Sequence, residues 1–408
     1  MSRISRREFG GAVLALGTRA TRLYATPSME ETLREGLERR KIPTAVAMVA
    51  TEDRVTYAGA FGKRDSASGV AAKTDSIFAI ASMTKAITST AALQLVEQGK
   101  LSLDEPAAKH LPELGKLEVL EGFDDRGKPM LRPAKKPITL RNLLTHTSGF
   151  AYDTWDENIF KYLSQTGGAI SPGTVAPPAP LAFEPGTRWQ YGYGLDWTGR
   201  LVETASGQTL EQYFQDHILQ PLGMGDTGFI LPPEKFDRLV SVYRRQDGGV
   251  LKEDPRAMPA PPKAFNGGGG LFSTAPDYVR FMQMILRHGR GNGNHQILQA
   301  KTIEMMTTNR IGSLSAGKLK SVRPATSSDV DFHPGFSDKF GFGFLINTTA
   351  YPAGRSAGSL AWAGVYNTYY WIDPRRSLCA VVMMQFLPFA DKEGIGLLGE
   401  FERAVYAS

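Results

Sequence analysis

A serine and a lysine three positions apart, Ser82 and Lys85, have the types and spacing that could do covalent chemistry. Helix-forming residues follow them, and Gly99 predicts a stop just beyond the last apolar residue, Val96. On a helix, positions i and i+3 share one face with Cβ atoms about 5 to 6 Å apart, so the amine can reach the hydroxyl. An adjacent base is the usual way to activate a serine hydroxyl. We therefore predict that Ser82 is a nucleophile and Lys85 its base.

Two other serines compete for this role. Ser315 stands three positions before Lys318, but in a polar, glycine-broken stretch with nothing to fix the pair. Ser356 lies in GRSAG (354–358), which matches the nucleophile elbow of α/β-hydrolases. That elbow needs a strand before it, a helix after it and a later histidine, whereas no histidine follows His333. Both alternatives are rejected.

Composition excludes several other functions. The chain has 408 residues, 42% of them hydrophobic, which is enough for a large core and about two domains. Its net charge of +6 comes from scattered basic residues, so nucleic acid is not an expected partner. The six histidines lack metal-ligand spacing, and the single cysteine, Cys379, lies in an apolar run typical of a core. We expect no metal and no cofactor.

The N-terminus differs from the rest of the chain. Arg6 and Arg7, followed by a short apolar run at 11–16, resemble a twin-arginine export signal, which we assign to residues 1–25. This apolar run is too short to span a bilayer, and no membrane span is expected. A functional signal would make the protein periplasmic or exported; otherwise it would be cytoplasmic.

Strand and helix patterns predict how the chain positions Ser82. Ser28 and Glu31 form a capping box before the first helix, and helical periodicity dominates from Ser82 to about Leu286. Strands are predicted at 44–50, 55–61, 360–372 and 377–386, with a last helix at 395–406. Strands at both ends suggest one sheet built from both termini, as an α/β domain of residues 26–80 and 290–408. A helical domain of residues 81–289 is then inserted in it.

Several motifs in a fixed order carry a family resemblance: SMTK at 82–85, LLTHTSG at 143–149, FEPGT at 183–187 followed by Tyr191, and NGGGGLFS at 266–273. Together they resemble the class C β-lactamase-like serine hydrolases, most of all the family VIII carboxylesterases and the fungal statin-side-chain acyltransferases. The resemblance implies a fold like that of β-lactamases and penicillin-binding proteins. In that fold, helices flank an antiparallel sheet.

The resemblance also implies roles for residues beyond the first pair. Tyr191 would be a second base that passes the proton to the leaving group. Trp362-Ala363-Gly364 occupies the place of the family's Lys-Thr-Gly strand, so the main-chain N–H groups of Val365 and Ser82 would form the oxyanion hole. His146 and Ser148 are interpreted as parts of a hydrogen-bonded turn.

Two positions depart from the family pattern. Tyr193 replaces the asparagine of Tyr-x-Asn, and Trp362 replaces the lysine that would pair with a β-lactam carboxylate. Trp362 and Gly364 would share one face of strand 360–372, the indole as an apolar wall and the glycine as room for substrate. We assign Trp362, Gly364 and Tyr193 to substrate binding, and expect neutral, apolar-sided esters with at most weak β-lactam hydrolysis.

The leading hypothesis is a serine carboxylesterase that hydrolyses small, neutral acyl esters through an acyl-enzyme on Ser82. One alternative is acyl transfer to an alcohol acceptor, since only competition between water and another acceptor separates the two reactions. A second alternative is a non-catalytic protein of the same fold that recognises penicillin or peptidoglycan. The expected partner is a small-molecule ester, and the oligomeric state is left open.

Overall fold

A computed structural model describes residues 27–167, 179–291, 293 and 295–408. The export signal predicted for residues 1–25 lies outside this part of the chain. Within it, no helix combines the length and apolar character needed to cross a membrane.

Strands and helices of the described residues are numbered along the chain. The strands are β1 (Thr44–Thr51), β2 (Val55–Gly62), β3 (Phe78–Ala79), β4 (Glu118–Phe123), β5 (Pro129–Pro133), β6 (Tyr243–Arg245), β7 (Leu251–Glu253), β8 (Phe272–Ser273), β9 (Lys318–Leu319), β10 (Val330–Asp331), β11 (Lys339–Phe340), β12 (Leu345–Ile346), β13 (Leu360–Gly364), β14 (Thr368–Asp373), β15 (Leu378–Met383) and β16 (Phe386–Leu387). The α-helices are α1 (Met29–Arg40), α2 (Thr84–Glu97), α3 (Leu140–Leu144), α4 (Glu157–Thr166), α5 (Gly194–Ser206), α6 (Leu210–Phe214), α7 (Gln220–Leu222), α8 (Ala275–Leu286), α9 (Ala300–Met306) and α10 (Lys392–Ala407).

The main sheet has seven antiparallel strands in the order β11-β12-β13-β14-β15-β1-β2. The pairing of β1 with β15 joins the two ends of the chain, in register from Val46 opposite Met383 to Thr51 opposite Leu378. The sheet is therefore built from both termini, as predicted. The boundaries of the two domains stay a prediction.

The helix ends follow local signals in the sequence. Ser28 and Glu31 form the predicted capping box of α1, and Thr274 caps α8 by accepting a hydrogen bond from the Asp277 amide. These caps satisfy amides that have no partner inside the helix. Since the cap residues and their partners are three positions apart, the sequence was sufficient to find them.

The prediction of one strand over 360–372 is wrong. The chain forms the hairpin β13–β14, in which Gly364 pairs with Thr368 across a tight turn. Asn367 takes the left-handed conformation there, with φ +63°, and its amide donates to the Gly364 carbonyl at 3.0 Å. Both strands are apolar, so hydrophobicity alone did not reveal the turn, and asparagine was the available signal.

Helices cover both faces of the sheet. Tyr370 of β14 packs against Tyr278 of α8, with ring centroids 5.0 Å apart, whereas its neighbour Trp371 packs against Phe401 of α10 at 6.1 Å. Successive side chains of a strand point to opposite faces, so α8 and α10 lie on opposite sides of the sheet. Trp362 of β13 pairs with Tyr370 and shares the α8 side.

Candidate active site

Ser82 lies on a sharp turn between a strand and a helix. The chain leaves β3, passes through a 3₁₀ turn at Ala81–Met83 and enters α2 at Thr84. Ala81 has φ +44°, a left-handed conformation that costs a non-glycine residue about 1 to 3 kcal/mol. Such strain is common where a reactive side chain must be held in a fixed position.

Lys85 points back to Ser82 from the first turn of α2. Its Nζ lies 3.0 Å from Ser82 Oγ, 3.2 Å from the Tyr152 hydroxyl and 2.5 Å from the Gly268 carbonyl oxygen. The residue is only 1% exposed. The predicted proximity of the serine and the lysine is therefore present, and their catalytic roles stay a prediction.

Tyr152 and Asp196 complete the surroundings of Lys85, and sequence reasoning missed both. The Tyr152 hydroxyl donates to Asp196 Oδ2 at 3.3 Å, which links the lysine to a buried carboxyl group. Burial, followed by the nearby Asp196 charge, holds the pKa of Tyr152 well above its usual range. Burial also raises the pKa of Asp196, against the opposing effect of Lys85. An aspartate between Leu195 and Trp197 in an apolar helix was the only available signal.

Gly268 shows why the NGGGGLFS segment is rich in glycine. A Cβ at this position would clash with the Asp196 carboxylate, which α5 holds against the segment. Without a side chain, the main chain comes close enough for the Gly268 carbonyl to accept a hydrogen bond from Lys85. This motif therefore supplies an acceptor through its backbone.

Tyr191 and Trp362 lie together beside the serine and lysine. The Trp362 indole N–H donates to the Tyr191 hydroxyl oxygen at 3.4 Å, and their rings meet edge to face with centroids 4.9 Å apart. Lys85 Nζ is 4.8 Å from the Tyr191 ring centroid. Both aromatic residues are buried. The structure thus brings the second predicted base and the predicted wall residue to one place.

The predicted oxyanion donors come from the Ser82 turn and the end of β13. A Cβ on Gly364 would clash with the Ile80 carbonyl oxygen, so the glycine lets β13 approach the serine turn. In this structure Gly364 serves to bring β13 close to the serine turn. Contact of Gly364 with substrate stays a prediction.

A small apolar pocket opens over Ser82. Its volume is about 20 Å³, which is close to the space that one water molecule needs. The residues that line it are Ser82, Trp155, Tyr191, Leu319, Phe332, Trp362, Ala363, Val365 and Phe389. Besides Tyr191, four of these residues are aromatic, namely Trp155, Phe332, Trp362 and Phe389. Sequence reasoning had identified only Trp362 among them.

The structure does not bring Tyr193 into this pocket. Its side chain is 1% exposed and packs against Phe150 and Tyr152, with ring centroids 5.6 and 5.3 Å away. It also directly precedes α5, and its position in the core explains the aromatic residue without a substrate. Substrate binding by Tyr193 therefore has no geometric support among the described residues.

The two competing serines lie elsewhere. Lys318 forms an ion pair with Asp331 at 3.2 Å, and Ser315 is exposed. Ser356 lies in a loop that leads into β13, where its amide donates to Asp373 Oδ2 at 2.8 Å. Neither serine has the surroundings of an activated nucleophile.

His146 and Ser148 lie in a turn whose main chain is hydrogen bonded. The His146 carbonyl accepts from the Gln190 amide at 3.0 Å, and the imidazole packs edge-on against Tyr191 at 4.8 Å. Burial, followed by the nearby Lys85 charge, holds the pKa of His146 well below its usual range. A neutral ring that packs behind Tyr191 fits the structural interpretation.

No group of three or more histidine, cysteine or acidic side chains in the described residues is arranged to hold a metal ion.

Comparisons with known proteins give a family match, related sequences and similar solved structures. A family model described as Beta-lactamase matches residues 29–398. Monacolin J acid methylbutanoyltransferase from Aspergillus terreus is 32% identical, with 93% of this chain and 95% of that protein covered. A lovastatin esterase from Penicillium rubens is 33% identical, with 73% of this chain and 77% of that protein covered. A solved simvastatin synthase from Aspergillus terreus, the LovD6 mutant, matches with a TM-score of 0.80 and 31% identity over 93% of this chain and 94% of that one. The predicted class of fold is confirmed.

Proposed function

This chain belongs to the beta-lactamase family and is an enzyme of the serine hydrolase type, and on that premise we propose that it transfers an acyl group from Ser82 to an alcohol acceptor. The observation that carries the proposal is the 3.0 Å contact of Lys85 Nζ with Ser82 Oγ at the floor of an apolar pocket. Being an enzyme, the chain does not fit the hypothesis of a non-catalytic binding protein.

In the first half-reaction, Ser82 Oγ attacks the carbonyl carbon of the acyl donor while Lys85 takes its proton. The negative charge that develops on the carbonyl oxygen is stabilised by the amides of Ser82 and Val365, each worth roughly 3 to 4 kcal/mol. Tyr191 gives its phenolic proton to the leaving group as the bond between the acyl carbon and the leaving group breaks, while Lys85 keeps the serine proton. The product is an ester of Ser82.

In the second half-reaction, the acceptor hydroxyl attacks the Ser82 ester and gives its proton to Tyr191. The bond between the acyl carbon and Ser82 Oγ breaks, and Lys85 returns its proton to Oγ. The pocket walls include Trp155, Phe332 and Phe389, which offer water few hydrogen-bonding partners. We infer that an alcohol with an apolar body competes well against water here.

Acyl transfer replaces hydrolysis as the leading interpretation because a methylbutanoyltransferase aligns with 93% of this chain. Hydrolysis remains the second candidate, since a lovastatin esterase is similarly related. Weak β-lactam hydrolysis stays a prediction.

The ratio of transferred product to free acid decides between the two reactions. We expect a p-nitrophenyl ester with excess alcohol to give mainly the new ester, while p-nitrophenol release gives the total turnover. Free acid as the dominant product at every alcohol concentration and with every alcohol tried would assign the enzyme as an esterase.

The nucleophile is tested separately by mass. A fluorophosphonate should add once to the native protein and to Ser356→Ala, but not to Ser82→Ala. Ser356→Ala is the matched control, because it removes the competing serine from a loop outside the pocket. A label on Ser82→Ala would contradict the mechanism.

A further inference from the structure

A second and much larger space lies on the other side of β13. Its volume is about 370 Å³, and we call it the outer cavity: it is bounded by β12, β13, β14 and α10, with Ala361, Trp371, Ile395 and Gly399 among its walls. Ala361 pairs with Trp371, which faces α10, so the outer cavity lies between the sheet and α10. Small-molecule pockets typically have volumes of about 300 to 1,000 Å³.

Two small residues, Gly399 and Ala361, leave part of this space open. Gly399 shares one face of α10 with Ile395 and Glu402, at spacings of four and three residues. A Cβ at Gly399 would meet only Arg403 Nη1, at 3.5 Å. Opposite it, β13 presents the short side chain of Ala361. Most of the other walls are aromatic or aliphatic, so the outer cavity suits an apolar chain.

The outer cavity is a neighbour of the catalytic pocket. Phe332 and Trp362 line both spaces. Phe332 follows β10 in a loop and is only partly buried, with its nearest aromatic rings, Phe389 and Tyr369, at 6.3 and 6.4 Å. Its side chain therefore lies on the wall that the two spaces share.

The catalytic pocket is much smaller than the outer cavity. Its volume is about 20 Å³, against about 370 Å³ for the outer cavity. A long acyl chain on Ser82 therefore needs more space than the catalytic pocket offers. The outer cavity is the large space that shares walls with it in the described part of the chain.

We propose that the outer cavity is the binding site for the chain of a medium-length, apolar acyl group carried by Ser82, and that Phe332 separates it from the catalytic pocket. This inference rests on the proposed function and adds the class of acyl donor to it. An octanoyl ester serves as the probe of that class and an acetyl ester as the short reference.

Filling the outer cavity from α10 tests the proposal. We measure kcat/KM for p-nitrophenyl octanoate and acetate in the native protein, Gly399→Leu and Ala407→Leu. The ratio of octanoate to acetate should fall at least ten-fold in Gly399→Leu. Ala407→Leu adds the same side chain at an exposed position of the same helix and should keep the native ratio. Leucine is a better helix former than glycine, which favours folding of the first variant.

Ala361→Leu fills the same space from β13 and should lower the same ratio. A native ratio in folded Gly399→Leu and Ala361→Leu, with Ser82 acylated by both esters, overturns the inference and leaves the proposed function intact. The inference is also overturned if the variants respond to the length of the acceptor alcohol and not to that of the acyl chain. Absence of any Ser82 adduct with either ester overturns both the function and the inference.

Discussion

The surroundings of Lys85 explain how a lysine can be buried in this site. An ammonium group has three donors, and the three oxygens around Nζ, from Ser82, Tyr152 and Gly268, could accept one bond each. The Asp196 carboxyl beyond Tyr152 supplies an acidic group in the same low-dielectric region.

The buried Asp196 carboxyl should make the free energy of unfolding depend on pH. Burial raises the pKa of its carboxyl above 3.8, so the folded protein binds this proton more tightly than the unfolded chain does. The resulting stability is fully present below pH 3.8 and is lost as pH rises through the folded pKa. Asp196→Asn cannot titrate, so its free energy of unfolding should rise relative to the native protein over this range, as measured by urea unfolding from pH 3 to 7.

Asp226→Asn is the control, because the pKa of Asp226 is shifted in the opposite direction to that of Asp196. A hydrogen bond from Arg238, whose Nη1 is 2.8 Å away, lowers the pKa of Asp226 to about 2. Its contribution is present above pH 3.8 and is lost as pH falls through about 2, so this variant should be least stable, relative to the native protein, near neutral pH. The same pH trend in both variants would contradict the assignment to Asp196.

Substitution of Trp362 should lower kcat. Trp362→Phe keeps an aromatic ring but removes the N–H that donates to the Tyr191 oxygen. A hydrogen bond of this kind contributes about 0.5 to 1.5 kcal/mol, so kcat should fall about two- to ten-fold. Trp155→Phe is the matched control, since its indole N–H lies in the same pocket but donates to Ser327. Equal losses of kcat would instead indicate changed packing of the pocket.

At the scale of elements, the contact of β13 with the serine turn assembles the predicted oxyanion hole. β13 supplies Trp362 and is followed directly by Val365, and the turn before α2 supplies Ser82. The site therefore depends on the relative position of the strand end and the turn. Gly364 permits their approach because a Cβ there would clash with the Ile80 carbonyl.

Gly364→Ala should therefore misalign the site. A shift of β13 by about 1 Å can cost about 100-fold in rate, and we expect a loss of this size in kcat/KM for every acyl donor. Gly225→Ala is the control, because a Cβ at this exposed glycine meets nothing within 4 Å. A native kcat/KM in Gly364→Ala would show that the contact does not set the geometry.

At the scale of the whole molecule, a buried ion pair ties the C-terminal helix to the loop before β13. Arg355 Nε and Nη2 lie 2.9 and 2.6 Å from the two carboxylate oxygens of Glu402 in α10. The segment GRSAG (354–358) therefore does not act as the nucleophile elbow of an α/β-hydrolase. Its arginine instead anchors a helix. The pair also borders the outer cavity, so it helps to hold α10 over that space.

Removing one partner should be costly. Arg355→Met leaves the Glu402 charge buried and unpaired, and we expect a loss of about 3 to 5 kcal/mol in the free energy of unfolding, measured by urea denaturation. The double variant Arg355→Met with Glu402→Leu removes both charges and should recover most of this loss. A double variant no more stable than the single one would contradict the explanation by an unpaired charge.

Local chemistry was readable from the sequence alone. Ser82 and Lys85 are three positions apart, and so are the capping residues Ser28 and Glu31, so helix geometry fixes their contacts without any knowledge of the fold. The order of the motifs was enough to identify the class of fold. Apolar runs at both ends of the chain were enough to predict one sheet built from both termini.

Tertiary structure decided what depends on distant segments. Tyr152 and Asp196 meet Lys85 from positions more than 60 residues away, and burial shifts the pKa of both by an amount that no local pattern encodes. The turn at Asn367 was hidden because β13 and β14 are both apolar, and only their pairing distinguishes a hairpin from one long strand. The outer cavity depends on a glycine in α10 and an alanine in β13 facing the same space, since the volume that short side chains leave open is known only once their elements are packed together.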